Sequence, residues 1–173
     1  MSELDAAVVA FKAKDLDTAG IKVSESLDTP LICQRSFNDP KVPVSHSANL
    51  EGLALVAMEL ALENVSSSVA TIEMLLDSTS VGSFALGALR DCLELYSDAA
   101  WTIVNSVGVF LSGNYDVTRM WMSSVMETAS TCQQGFTERG EVSPLTQENY
   151  NLFQLCGIAL CIIHLATPTQ LLN

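Results

Sequence analysis

The sequence predicts an all-α protein, an antiparallel up-and-down four-helix bundle preceded by a short, atypical N-terminal helical segment. Three observations predict it. Aliphatic and small apolar residues are plentiful, whereas aromatics make up 6% and the 173 residues include 9 Gly and 5 Pro, which is poor in turn formers for a sandwich or a barrel. Apolar residues recur by threes and fours through four long blocks. Short clusters of turn residues cut the blocks apart, at Asn38-Asp39-Pro40 through Pro43, Asp77 to Ser83, Ser112-Gly113-Asn114, and Gly135 to Pro144.

In chain order, the first elements are two short helical candidates, Leu4 to Lys12 and Leu16 to Ser26, parted by Lys14-Asp15. Each is amphipathic but too short to be stable alone. A shift of 99 residues superposes Phe11, Asp17, Ser24, Thr29, Cys33, Gln34 and Phe37 on Phe110, Asp116, Ser123, Thr128, Cys132, Gln133 and Phe136 without a gap, which suggests an internal duplication. Residues 1–40 therefore read as an N-terminal extension and 41–173 as the bundle. The first bundle block, Ser47 to about Asp77, opens on Ser and Asn capping candidates and carries Leu50, Leu53, Ala57, Leu60, Ala61, Ile72, Leu75 and Leu76. The second, Ser83 to Leu111, has the clearest period, with Ala85, Leu89, Cys92, Tyr96, Ala99, Ile103, Val107 and Phe110 on one face. The third, Tyr115 to Cys132, places Val117, Trp121, Val125 and Thr128 on one stripe. The fourth runs from Thr146 to Ala166 behind a Ser143-Pro144 entry. Short connections make consecutive blocks antiparallel neighbours.

The formal net charge is −12, from 8 Lys+Arg against 20 Asp+Glu, which argues against nucleic acid or an anionic membrane surface as partner. The nearly uncharged stretch Leu152 to Ala166 is shorter than the roughly 20 apolar residues that cross a bilayer, and it reads as a core helix. Met1-Ser2-Glu3-Leu4-Asp5 shows no basic start followed by an apolar run, so no signal peptide is visible.

The chemistry-bearing residues are few. Cys92 and Cys132 are equidistant from Ser112, on the order of 28 Å from the turn at ~1.5 Å per residue, so a bridge between the second and third blocks is geometrically feasible. Two buried thiols are an equally open reading. Cys156 and Cys161, five apart on one helix, point to different faces and read as core residues; both, with Cys33, are expected to be free. Neither His46 nor His164 sits at a zinc-ligand spacing from a cysteine, so no metal or cofactor is expected. No nucleophile with a base, no phosphate-binding glycine loop and no HExxH-like helix occurs, hence no catalytic residue is assigned. Asp91, Glu94 and Asp98 read as a solvated flank. Trp101, Trp121, Met120, Met122 and Met126 read as packing, with one or two exposed members suited to a binding surface. Asn64-Val65-Ser66 fits the glycosylation acceptor pattern.

The stretches Asn49-Leu50-Glu51-Gly52-Leu53-Ala54, Ala88-Leu89-Arg90-Asp91-Cys92-Leu93-Glu94-Leu95-Tyr96-Ser97-Asp98-Ala99 and Thr131-Cys132-Gln133-Gln134-Gly135-Phe136 resemble the plant invertase and pectin methylesterase inhibitors. The tail Val142-Ser143-Pro144-Leu145-Thr146-Gln147-Glu148-Asn149 looks like the pollen-allergen branch of that family. The resemblance covers about Thr29 to Ala166. It implies a four-helix bundle with an N-terminal helical hairpin, a Cys92–Cys132 disulfide, residence in the cell wall (apoplast) or vacuole, and inhibition of pectin methylesterase or acid invertase by protein contact without enzymatic activity. A degenerate, non-inhibitory helical module is the competing reading.

Two departures from the family pattern stand out. Cys33 resembles the second hairpin cysteine, but Ser24 occupies the position nine residues earlier, so the hairpin bridge cannot form. The repeat suggests that a piece of the third bundle helix has replaced the hairpin, as a misjoined tandem gene would do. Some invertase inhibitors insert a Pro-Lys-Phe tripeptide at the turn before the third bundle helix, and Tyr115-Asp116-Val117 stands there in this chain. That favours a pectin methylesterase as target. Inhibition by surface contact points to the flank of the third block, where Thr118, Met122 and Glu127 read as lying off the buried stripe, with Tyr115 and Asp116 at its start.

Overall fold

A computed structural model describes residues 50–78, 82–138 and 140–167 of the chain. They form four helices, α1 (Leu50–Leu76), α2 (Ser83–Leu111), α3 (Tyr115–Thr137) and α4 (Thr146–Ala166). Each helix packs against two neighbours, α1 against α2 and α4, and α3 against α2 and α4, the closed ring of an up-and-down bundle. The two short N-terminal helices, Ser24, Cys33 and the proposed boundary at residue 40 lie outside the described residues.

The ends of α2 and α4 coincide with the sequence reading, while α3 runs one turn further than expected, to Thr137. Phe136 explains the extra turn, because it is fully buried and carries the core stripe past Cys132. The α2–α3 turn is fixed by local chemistry. Gly113 takes φ +81°, the Gly113 N–H donates to the Phe110 carbonyl at 2.9 Å, and the Asn114 N–H reaches the Val109 carbonyl at 3.2 Å, a Schellman closure that needs a left-handed residue. Asn114 then caps α3, its side chain accepting from the Val117 N–H. Gly140, at φ +71°, closes α3 the same way, with the Glu141 N–H on the Phe136 carbonyl.

The core is built from small residues on α1 (Ala54, Ala57, Ala61) facing larger ones, including Leu89, Tyr96 and Ile103 on α2 and Leu152, Ile158 and Ile162 on α4. On α3 the buried stripe is Thr118, Met122, Val125, Thr128, Ala129, Cys132 and Phe136. This is rotated by one residue, in the first half of the helix, from the expected stripe: Val117 and Trp121 are only half-buried. The Thr118 hydroxyl donates to the Asn114 carbonyl at 2.9 Å, so the threonine enters the core with its polar atom already satisfied. Ser106 on α2 does likewise through the Thr102 carbonyl.

Cys92 and Cys132 are joined by a disulfide that holds α2 and α3 with their Cα atoms 5.1 Å apart. Cys156 is a free and fully buried thiol. Cys161 is buried as expected, yet it is disulfide-bonded, which corrects its reading as a free thiol. The five-residue spacing excludes only a Cys156–Cys161 pair and says nothing about a distant partner. By length and hydropathy, α1 and α4 would each pass for a membrane span. In the bundle, α4 places a continuous run from Cys156 to Ile163 in the interior, so its apolar surface is consumed by packing.

Candidate partner-binding surface

The chemistry-bearing side chains gather at the end of the bundle where α1 and α3 begin and α2 and α4 finish. The Tyr115 hydroxyl, at the first residue of α3, donates to Glu51 Oε1 of α1 at 2.9 Å. Its ring stands edge-on to Phe110, with centroids 5.2 Å apart. The bond to Glu51 holds the Tyr115 phenol above its ordinary pKa, because the neutral phenol is the donor and ionisation would set two negative oxygens side by side. Asp116 is open to solvent and pairs with Arg119 Nη2 at 3.0 Å. Arg119 Nη1 lies 2.9 Å from His164 Nδ1. A guanidinium can only donate, so the imidazole accepts at Nδ1 in this arrangement. Asp116, Arg119 and His164 thus tie the start of α3 to the end of α4.

Of the five residues read from the sequence as a contact surface, three are accessible to solvent. Asp116 and Glu127 are exposed and Tyr115 is half-buried. Thr118 and Met122 are fully buried and cannot touch a partner, a correction that follows from the one-residue rotation of the stripe. Exposed apolar side chains occur instead at Met120 on α3 and Trp101 on α2, at 61% and 67% exposure. The sequence reading put both in a packing group with one or two exposed members, and periodicity did not say which members those are. Asn64 lies mid-helix on α1 with its Oδ1 enclosed and unpartnered, and the Ser66 hydroxyl of its acceptor pattern is turned onto the Leu62 carbonyl. That is not the surface loop which glycosylation calls for.

A second polar constellation is internal. The Tyr96 hydroxyl of α2 donates to Asn149 Oδ1 of α4 at 2.8 Å, and Asn149 Nδ2 donates to Gln133 Oε1 of α3 at 2.9 Å. Burial drives the Tyr96 phenol pKa upward, reinforced by the charge of Glu148. Three helices are therefore pinned at one level beside the disulfide. Among the described residues no group of His, Cys, Asp and Glu is placed to hold a metal.

Comparison with known proteins accounts for these features. The family model of the plant invertase/pectin methylesterase inhibitors matches residues 3–162. A Platanus acerifolia protein named "Putative invertase inhibitor" is 36% identical over 135 residues, covering 77% of this chain and 73% of its own. The "Pectinesterase inhibitor" of Actinidia deliciosa is 25% identical over 138 residues, covering 79% and 72%. The fold matches the crystal structure of a pectin methylesterase inhibitor from Arabidopsis thaliana with a TM-score of 0.62, at 21% identity over 82% of this chain and 97% of that one. Members of this family are inhibitors, not enzymes. With the helical bundle, the α2–α3 disulfide and this match along most of its length, the chain belongs to the plant invertase/pectin methylesterase inhibitor family.

Proposed function

We propose that this protein inhibits a pectin methylesterase by forming a one-to-one complex through the outer face of the α2–α3 hairpin, in the extracellular setting typical of its family. The observation that carries the reading is the state of Tyr115-Asp116-Val117, where some invertase inhibitors place their inserting tripeptide. Tyr115 is held by Glu51 and Phe110, Asp116 is paired with Arg119, and Val117 is half-buried. None of the three is a cationic or proline-kinked probe free to enter an active site. The hairpin itself is pre-organised by its disulfide, which lowers the ordering cost of association, and it exposes Trp101 and Met120, residue types common among interface anchors. Tyr115, Asp116 and Glu127 supply polar contacts around them.

Acid invertase is the second reading, favoured by the higher identity to the Platanus protein than to the Actinidia one. Calorimetric titration of the purified, oxidised protein against a plant pectin methylesterase and an acid invertase separates the two. Saturable one-to-one binding to the esterase is expected, weakened by more than ~1 kcal/mol in Trp101→Ala and in Met120→Ala. Binding to the invertase alone would reverse the target, and binding to neither at high micromolar concentration would refute the inhibitor reading.

A further inference from the structure

In its last three turns α2 carries two lines of residues on different sides. Ala99, Ile103, Ser106 and Phe110 are buried in the core, whereas Trp101, Val104, Gly108 and Leu111 are exposed. The exposed four are spaced three, four and three apart, the a/d pattern of a helix that receives another helix along a seam. Single apolar residues on a surface are ordinary, but a line of them at seam spacing marks a contact. Charge sets off the same segment. No Asp, Glu, Lys or Arg occurs from Ala99 to Tyr115 in a chain of net charge −12, while the first half of α2 exposes Arg90, Asp91, Glu94 and Asp98.

We propose that this line is the contact of a symmetric pair, in which α2 of a second copy of the chain lies antiparallel on α2 about a two-fold axis level with Ser106. A two-fold contact must fit itself, and the spacing three, four, three reads the same in both directions. In that register Trp101 stands opposite the partner's Leu111, and Val104 stands opposite the partner's Gly108, where the missing side chain leaves room for the valine. Charge selects the occupant and its direction. Two strongly acidic chains meet with least repulsion across an uncharged face. Parallel helices would hold Glu94 against the partner's Glu94, a like-charge contact that disfavours that arrangement. Antiparallel, Asp98 falls level with the partner's Asn114 in the uncharged turn, and Glu94 lies beyond the end of the partner's α2. Four positions per helix make a small interface, so the pair is weak and concentration-dependent. It does not depend on the inhibitor reading, but it encloses Trp101, so self-association and enzyme binding compete for one face.

Sedimentation equilibrium of the full, oxidised chain from about 5 to 500 μM tests it. A monomer–dimer equilibrium is expected for the parent. Gly108→Val sets valine against valine and Val104→Ala leaves a gap, so each should weaken the pair roughly three- to tenfold. Combined, they place a small residue opposite a large one again, and the double variant should return to within about twofold of the parent. Met74→Ala, at an exposed apolar side chain of α1, should leave the dimer unchanged, and circular dichroism checks that every variant is folded. A parent that is monomeric throughout would overturn the proposal, as would a dimer indifferent to both single changes. A double variant no better than the singles would overturn the antiparallel register. Enzyme binding by a chain that stays monomeric strikes the pair and leaves the inhibitor reading standing.

Discussion

Met122 and Met120 are two residues apart on α3 and have opposite fates. Met122 is fully buried, and Met120 is largely exposed. Truncating the first to Ala removes core volume and leaves a cavity, which costs about 2–5 kcal/mol. Truncating the second should change stability by less than about 0.5 kcal/mol. Urea titration monitored by circular dichroism measures both, and equal costs would place the α3 stripe in the register first expected from the sequence. Tyr96, Asn149 and Gln133 show a different lesson at the same scale. They come from three of the sequence stretches that carry the family resemblance, and they meet in one hydrogen-bonded chain in the interior. The most recognisable residues of the sequence therefore specify how α2, α3 and α4 pack, whereas the residues offered to a partner are unremarkable in the sequence.

For the helices, the central fact is the bond between α2 and α3. Cys92 and Cys132 are 40 residues apart in sequence, and closing a loop of that size stabilises the folded chain by about 4 kcal/mol in the chain-entropy account. Replacing both by Ser should lower the urea midpoint accordingly, with the helices still formed at low denaturant because the α2–α3 turn is separately closed by Gly113 and Asn114. A double variant as stable as the parent would show that the hairpin is held by packing alone. The spacing of the two cysteines about Ser112 made the bridge legible as a feasible geometry, since residues equidistant from the turn of a helical hairpin lie at one height. Spacing could not decide whether two thiols at one height are joined. The partnership of Cys161 was invisible in the same way, because a helical period reports which face a residue occupies and not what reaches that face from elsewhere.

At the scale of the whole molecule, the buried titratable groups set an alkaline limit. Burial raises both the Tyr96 phenol and the Cys156 thiol above their unfolded values of 10.0 and 9.0. A raised folded value favours the neutral form, so the stability these groups support is fully present below the unfolded value and is lost as pH climbs beyond it. The urea midpoint should thus hold to about pH 9 and decline from there, with the decline steepening near pH 10 as the phenol joins the thiol. Cys156→Ala should delay the onset toward pH 10. A midpoint indifferent to pH up to 11 would mean that neither group stays neutral in the folded state; that ceiling is about one unit above the ordinary phenol value.

The sequence alone determined the class of fold, the bounds of α2 and α4, the position of the α2–α3 turn and the membership of the family. The family rests on the resemblance of particular stretches, and the other three follow from local rules: the 3.6-residue period, the conformational freedom of Gly113, the capping side chain of Asn114, and the short connections that leave consecutive helices no choice but to lie antiparallel. Only the tertiary structure decided which of Val117 and Thr118, or Met120, Trp121 and Met122, face inward, because neighbouring positions on a helix differ by 100° and a hydroxyl satisfied within its own helix can take an apolar place. It also decided that Tyr115 is bound to Glu51 across 64 residues and that Arg119 reaches His164 across 45. Contacts of that kind depend on how four helices are rotated against one another, and no local period encodes that rotation.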